Sequence, residues 1–228
     1  MTTVYLAGDS TVSHYKADKA PMAGWGQMIG ELFQDHVTIR NEAMGGRSSK
    51  SFIDEGRLAP IEEQIGPGDY LMIQFGHNDE KPDEARHTTP NGTYPAYLRR
   101  YIDAARSRGA FPVLLTPVER RVFTDEGTLA ETHGDYPDAV LHLGREEGVP
   151  VIDLRLKSRK LFEALGDEAS KKLLCWLEPG AEPNYPAGSR DNTHFNEEGA
   201  RRIARLVAEG IREAGLGLAA HFKPDAVS

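Results

Sequence analysis

An α/β sandwich, with a five-stranded parallel sheet between two layers of helices, is the fold this chain predicts. Three observations carry it. Short apolar runs of strand length alternate with longer segments of helical period, the pattern of successive strand–helix–strand units. One run, Tyr70-Leu71-Met72-Ile73-Gln74-Phe75, is almost continuously apolar, as a strand covered on both faces must be. Polar and glycine-rich clusters stand directly after the first three runs, on the rim where such sheets carry their ligand sites.

Taken in order, the first strand spans Thr3 to Ala7 and runs into Gly8-Asp9-Ser10-Thr11. The second, Val37 to Asn41, is followed by Glu42-Ala43-Met44-Gly45-Gly46-Arg47-Ser48. The third, Tyr70 to Phe75, leads into Gly76-His77-Asn78-Asp79, and Lys81 to Tyr94, polar with two prolines, reads as a loop. Tyr97, Leu98, Tyr101, Ile102 and Ala105 then fall on one helical face, stopped at Gly109. Phe111 to Thr116 and Val149 to Leu154 supply the fourth and fifth strands. Lys171 to Arg190, rich in prolines and turn formers, reads as an irregular approach to Asp191. The last helix carries the stripe Ala200, Ile203, Ala204, Val207, Ala208 and Ile211, with Asn196 placed to cap it and Glu197 and Glu198 favourably near the positive end of its dipole. Right-handed crossovers between such strands give a flavodoxin-like three-layer arrangement. The expected organisation is one domain over residues 1–215 and a C-terminal tail over 216–228.

Bulk properties narrow the function. A chain of 228 residues, 39% hydrophobic and 27% charged, has the composition of a globular domain with a substantial core. Its 27 basic and 35 acidic side chains give a net charge of −8, which repels a nucleic acid backbone, and no basic run offsets this. The single cysteine, Cys175, has no intrachain disulfide partner. No apolar stretch approaches the roughly 20 residues that cross a membrane, and the residues before Ser10 lack the features of a secretory leader. The expectation is a cytoplasmic protein with neither nucleic acid nor membrane as partner; no oligomeric state is written in the chain.

The chemistry lies in two places about 180 residues apart. Ser10 stands just past a strand, where a side chain faces solvent; capping a following helix is the plain structural alternative, since serine fills that position well. A hydroxyl is a poor nucleophile until a histidine takes its proton and a carboxylate orients that histidine. Asp191-Asn192-Thr193-His194 offers both groups three residues apart, which a turn or short helix would place on one side. Gly45-Gly46 permits close backbone approach to a ligand, and Asn78 offers an uncharged donor, although each segment alone is also an ordinary turn. His77 borders Asn78. No metal or cofactor is called for: His-Glu-x-x-His is absent and Cys175 has no CxxC partner. Gly24-Trp25-Gly26-Gln27-Met28-Ile29-Gly30 imitates a dinucleotide loop, but its third glycine is one place late and no strand directly precedes it.

Together, Gly8-Asp9-Ser10, Gly46, Gly76-His77-Asn78-Asp79 and Asp191-Asn192-Thr193-His194 resemble the four blocks of the SGNH, or GDSL, hydrolase superfamily, in order and over essentially the whole chain. More narrowly, Gly8 to Val12, Gly24-Trp25-Gly26, Asn41-Glu42-Ala43 with Gly46-Arg47-Ser48, and Phe75 to Asp79 resemble rhamnogalacturonan acetylesterases. The resemblance implies the SGNH hydrolase fold and a serine carboxylic ester hydrolase. Ser10 would be the nucleophile, His194 the base and Asp191 its orienting group. The N–H groups of Ser10 and Gly46, with the Asn78 amide, would form the oxyanion hole. It further implies a small acetylated pectic oligosaccharide as substrate, for which His77, Arg47, Arg120 and Arg121 are candidate contacts, the arginines as partners for uronate carboxylates. The alternatives are a lysophospholipase or thioesterase of the same superfamily, which needs an apolar acyl channel, and a non-catalytic carbohydrate-binding protein.

Overall fold

The computed structural model describes residues 2–226. Its main sheet contains β1 (Thr2–Gly8), β2 (Val37–Asn41), β3 (Tyr70–Gln74), β4 (Phe111–Leu115) and β5 (Val151–Ile152), in the order β2-β1-β3-β4-β5. All four pairings are parallel, with Val4 opposite Tyr70 and Gly8 opposite Gln74. The order reverses direction between β1 and β3, and the crevice beyond the carboxyl ends of those two strands is the natural ligand position.

Around the sheet, among the described residues, lie α1 (Trp25–Met28), α2 (Ser49–Asp54), α3 (Ala59–Gln64), α4 (Thr93–Ser107), α5 (Tyr136–Glu147), α6 (Leu154–Ser170) and α7 (Glu197–Glu213). The two-residue period of the strands divides the apolar side chains into two cores. Val4, Leu6, Met72, Val113 and Leu115 face α1, α6 and α7; Tyr5, Ala7, Leu71, Ile73 and Leu114 face α2 to α5. The stripe expected on the last helix is buried along its whole length. Asn196 caps that helix, its Oδ1 accepting from Gly199 N at 3.0 Å. Truncating a side chain such as Ile203 to alanine there would cost about 2–5 kcal/mol.

Several boundaries differ from the sequence reading for local reasons. The run Val149 to Leu154 shrinks to two paired residues because Asp153 caps α6, accepting from Leu156 N at 3.1 Å, and the helix begins at Leu154. The loop expected to reach Tyr94 ends earlier, where α4 starts at Thr93. The segment Lys171 to Arg190 is not irregular throughout. It holds a 3-10 turn (Lys171–Leu173) and β6 (Leu174–Leu177), which pairs antiparallel with β7 (Ser189–Phe195) as a separate two-stranded sheet.

The residues read as a tail pack back onto the domain. A 3-10 turn (Gly217–His221) buries Leu218, Phe222 stacks on Phe33 with centroids 4.6 Å apart, and Lys223 N donates to Leu32 O at 2.9 Å. Met1 of the expected domain and residues 227–228 of the expected tail lie outside the described residues. No helix among the described residues is long and apolar enough to cross a membrane.

Candidate active site

Ser10 sits in a turn, with no helix following, so the capping alternative fails. What turns its side chain outward is the carboxylate before it. Asp9 is fully buried beneath the turn, its Oδ1 accepting from Thr11 N at 2.9 Å and Thr11 Oγ1 at 2.8 Å, while its carbonyl accepts from Ser13 N at 3.1 Å. A buried chain of donors continues the support: Gln74 Nε2 donates to Thr11 Oγ1 at 2.6 Å, and Trp25 Nε1 donates to Gln74 Oε1 at 2.8 Å. The Gly24-Trp25-Gly26 run belongs to this scaffold. A Cβ on Gly24 would lie 2.4 Å from Ser13 O, and one on Gly26 would lie 2.5 Å from Val12 O, so only glycine lets α1 close against the Ser10 turn.

Asp191 and His194 come from β7, not from the turn or short helix their spacing suggests. Between the pairs Leu174–Phe195 and Trp176–Arg190, β6 advances two residues while β7 advances five. The surplus forms a bulge that brings two strand residues to one side. Asp191 closes it, its Oδ1 accepting from Thr193 N at 2.7 Å and His194 N at 2.9 Å. The other oxygen, Oδ2, lies 2.7 Å from His194 Nδ1, and His194 Nε2 lies 2.9 Å from Ser10 Oγ. With Nδ1–H donating to the carboxylate, Nε2 is left to accept the serine proton, the arrangement that lets a hydroxyl attack as it is deprotonated. Burial pushes the Asp191 carboxyl upward, but its bonds to His194 and the two backbone donors outweigh this and hold it below the usual range.

Gly46 and Asn78 close the other side of the same cleft. Gly46 adopts φ +81°, a conformation that favours glycine, in a turn where Arg47 N donates to Met44 O at 3.3 Å. Neither the Ser10 N–H nor the Gly46 N–H finds an acceptor among the described residues. The Asn78 amide donates one proton to Arg47 O at 3.0 Å, which fixes its orientation and leaves the second proton available. The resulting cleft of about 410 Å³ is lined by Ser10, Tyr15, Gly45, Gly46, His77, Asn78, Lys81, Arg120, Thr193 and His194. No aliphatic side chain and no carboxylate is among them.

Beneath the cleft, His77 is buried, with Nδ1 3.3 Å from Asp9 Oδ2 and its ring edge-on to His133 at 4.6 Å. Burial pulls His77 down to about 4, against the attraction of Asp9, so the imidazole is neutral at pH 7. Burial acts on Asp9 in the opposite sense, yet His77 and the Thr11 donors hold that carboxyl below the usual range. Asp79, also buried, anchors the loop that carries Asn78 by accepting from Ser49 N and Gly76 N, each at 3.1 Å.

The candidate arginines separate. Arg121 is buried behind the site, donating to Ser170 Oγ at 2.9 Å and Asn192 Oδ1 at 2.7 Å and pairing with Asp167; it braces the β7 bulge and is closed to substrate. Arg47 does not line the cleft, because its guanidinium is held by Glu55 at 3.0 Å and by Gly45 O at 2.9 Å. Arg120 does line it, with its charge engaged by Glu80 and its Nη1 donating to Thr132 O at 3.0 Å. Three lining residues were given no role in the sequence reading: Tyr15, whose Oη donates to Ser10 O at 2.9 Å, Lys81, and Thr193, which was quoted only as part of the block before His194. Nearness in the chain to Ser10, Asn78 and His194 is the signal that would have found them.

Comparison with known proteins assigns the chain to a family. A model of the GDSL-like lipase/acylhydrolase family matches residues 6–202. The chain is 54% identical over 219 residues, 96% of its own length and 93% of the relative's, to the rhamnogalacturonan acetylesterase RhgT of Bacillus subtilis. It is 43% identical to the probable rhamnogalacturonan acetylesterase YesY of the same organism, covering 94% of both chains. The crystal structure of Bacillus subtilis YxiM superposes with a TM-score of 0.81 at 32% identity; 94% of this chain is covered, and it spans 57% of that longer chain. With its family model matched across most of its length and two relatives aligned almost end to end, this chain belongs to the GDSL-like lipase/acylhydrolase family.

Proposed function

We propose that the protein is a carbohydrate O-acetylesterase that deacetylates rhamnogalacturonan fragments through an acyl-enzyme on Ser10. The observation that carries the reading is the convergence on one cleft of the Ser10–His194–Asp191 relay and three donors with protons to spare. Ser10 Oγ attacks the acetyl carbonyl as its proton passes to His194 Nε2. The tetrahedral oxyanion is received by the N–H groups of Ser10 and Gly46 and by Asn78 Nδ2. Its collapse expels the sugar oxygen, which takes the proton back from His194, and water repeats the sequence to release acetate. Asp191 remains ionised and holds the imidazolium. Each such donor is worth on the order of 10²–10³ in rate.

The names of the 54% and 43% identical relatives support the substrate class. The lining supports acetate as the acyl group. Each buried methylene is worth about 0.8 kcal/mol when it meets apolar surface, and this cleft offers a long chain only the ring of Tyr15, the methyl of Thr193 and the stems of Lys81 and Arg120, with no Val, Leu, Ile, Met or Phe among its lining. A lysophospholipase or thioesterase therefore lacks its acyl channel here.

Acetate release from acetylated rhamnogalacturonan and acetylated xylan, measured beside a series of 4-nitrophenyl esters, tests the proposal. The expected result is fastest release from rhamnogalacturonan and falling kcat/KM as the acyl chain lengthens beyond acetyl. Rising kcat/KM beyond butyrate would sink it.

A further inference from the structure

We propose that Lys81 recognises a uronate carboxylate of the substrate and so makes the site selective for acidic over neutral acetylated sugars. This rests on the acetylesterase reading above. The argument begins with a shortage. A protein of net charge −8 repels an anionic oligosaccharide at long range, so selectivity for one needs a cation inside the cleft, within the roughly 8 Å over which physiological salt leaves charges in contact. The arginines at hand are spent. Arg47 is held by Glu55, Arg121 by Asp167 and Arg120 by Glu80.

Lys81 differs. It lines the cleft with Ser10 and His194, it is exposed, and it forms no ion pair among the described residues. The local sequence explains how this arises. In Asn78-Asp79-Glu80-Lys81, Asn78 faces the cleft, and Asp79 turns inward to Ser49 and Gly76. Glu80 turns to Arg120 and lies 3.5 Å from His133, which leaves Lys81 without a carboxylate. Its backbone is meanwhile clamped at both ends, the N–H donating to Asn78 O at 3.1 Å and the carbonyl lying 3.1 Å from His87 Nδ1. A fixed base three residues from Asn78 carries a flexible ammonium at the cleft mouth. No lining carboxylate competes for it or repels an incoming anion. A point charge on a mobile stem suits a carboxylate whose position shifts with the sugar bound.

The test uses one acetylated rhamnogalacturonan oligosaccharide with free galacturonate carboxylates and the same sugar with those carboxylates methyl-esterified. Acetate release gives the ratio of kcat/KM, acid over ester, for the parent enzyme, Lys81→Met and Lys81→Arg. The parent is expected to prefer the acid. Lys81→Met is expected to lower the ratio about fivefold through KM, the scale of a solvent-exposed ion pair, and Lys81→Arg to retain most of it. Added salt is expected to erode the parent's ratio and not that of Lys81→Met. A ratio unchanged in Lys81→Met would overturn the role of Lys81 while leaving the acetylesterase reading intact. A parent enzyme that releases acetate from neither sugar would overturn that reading and the role of Lys81 with it.

Discussion

The two halves of the candidate site are built by different means. Ser10 stands on the end of a central strand, over hydrogen bonds so deep that Asp9, Thr11 and Gln74 are each at most 1% exposed. Asp191 and His194 stand on a bulged two-stranded sheet outside the main one, with side chains 26% and 28% exposed. Their bulge is braced by Arg121 and Trp176, which both donate to Asn192 Oδ1, at 2.7 and 2.9 Å. The serine half is thus part of the cooperative core. The histidine half is a ribbon anchored in that core at one end by Leu174 and Phe195, while its bulge is held by polar ties, and the bulge should be the part that moves first.

The largest effect expected from breaking this arrangement is at Asp191. Asp191→Asn keeps the side-chain shape but frees His194 to take the wrong tautomer, and kcat is expected to fall by about 10⁴-fold. Steady-state kinetics on an aryl acetate check it; a loss below tenfold would mean the carboxylate does not orient the base.

A matched pair of substitutions sharpens the contrast between halves. Arg121→Met loosens the ribbon, and kcat is expected to fall about tenfold with KM little changed, because small displacements of a base are costly. Gln74→Met leaves Trp25 Nε1 and Thr11 Oγ1 without their partner in the core, and should cost about 1–3 kcal/mol in unfolding free energy. Urea titrations and kcat on both variants decide the matter. If Arg121→Met lost as much stability as Gln74→Met with kcat unaffected, the division between core and ribbon would be wrong.

A further effect is a pH dependence written into the core half. His77 has a folded pKa of about 4, below its unfolded value near 6.5. Between those values the unfolded chain binds a proton that the folded one refuses, so stability falls as pH drops from about 6.5 to 4 and then levels off, by an amount on the order of 3 kcal/mol. His77→Asn should flatten that slope in urea midpoints measured across the window.

What could be read from the chain follows the same divide. Val37–Asn41, the α7 stripe with its Asn196 cap, and the positions of Ser10, Gly46 and Asn78 beyond consecutive strands are consequences of local pattern, and the sheet order simply collects them. The β6–β7 ribbon was not legible, because Leu174–Leu177 is four residues long and is defined as a strand by its distant partner. Nor were the states of the arginines. Whether Arg47, Arg120 or Arg121 offers a charge to substrate depends on Glu55, Glu80 and Asp167, and for Arg120 and Arg121 those partners lie 40 or more residues away in the chain. The same ignorance hid Lys81, whose distinction is a partner it lacks.

Labelling with a phosphonate ester, read by intact and peptide mass, addresses the central claim most directly. The account predicts one adduct per chain, on the peptide carrying Ser10, formed rapidly in the parent and at least a hundredfold more slowly in His194→Ala. An adduct on any other residue, or labelling of Ser10 at the parent rate without His194, would contradict it.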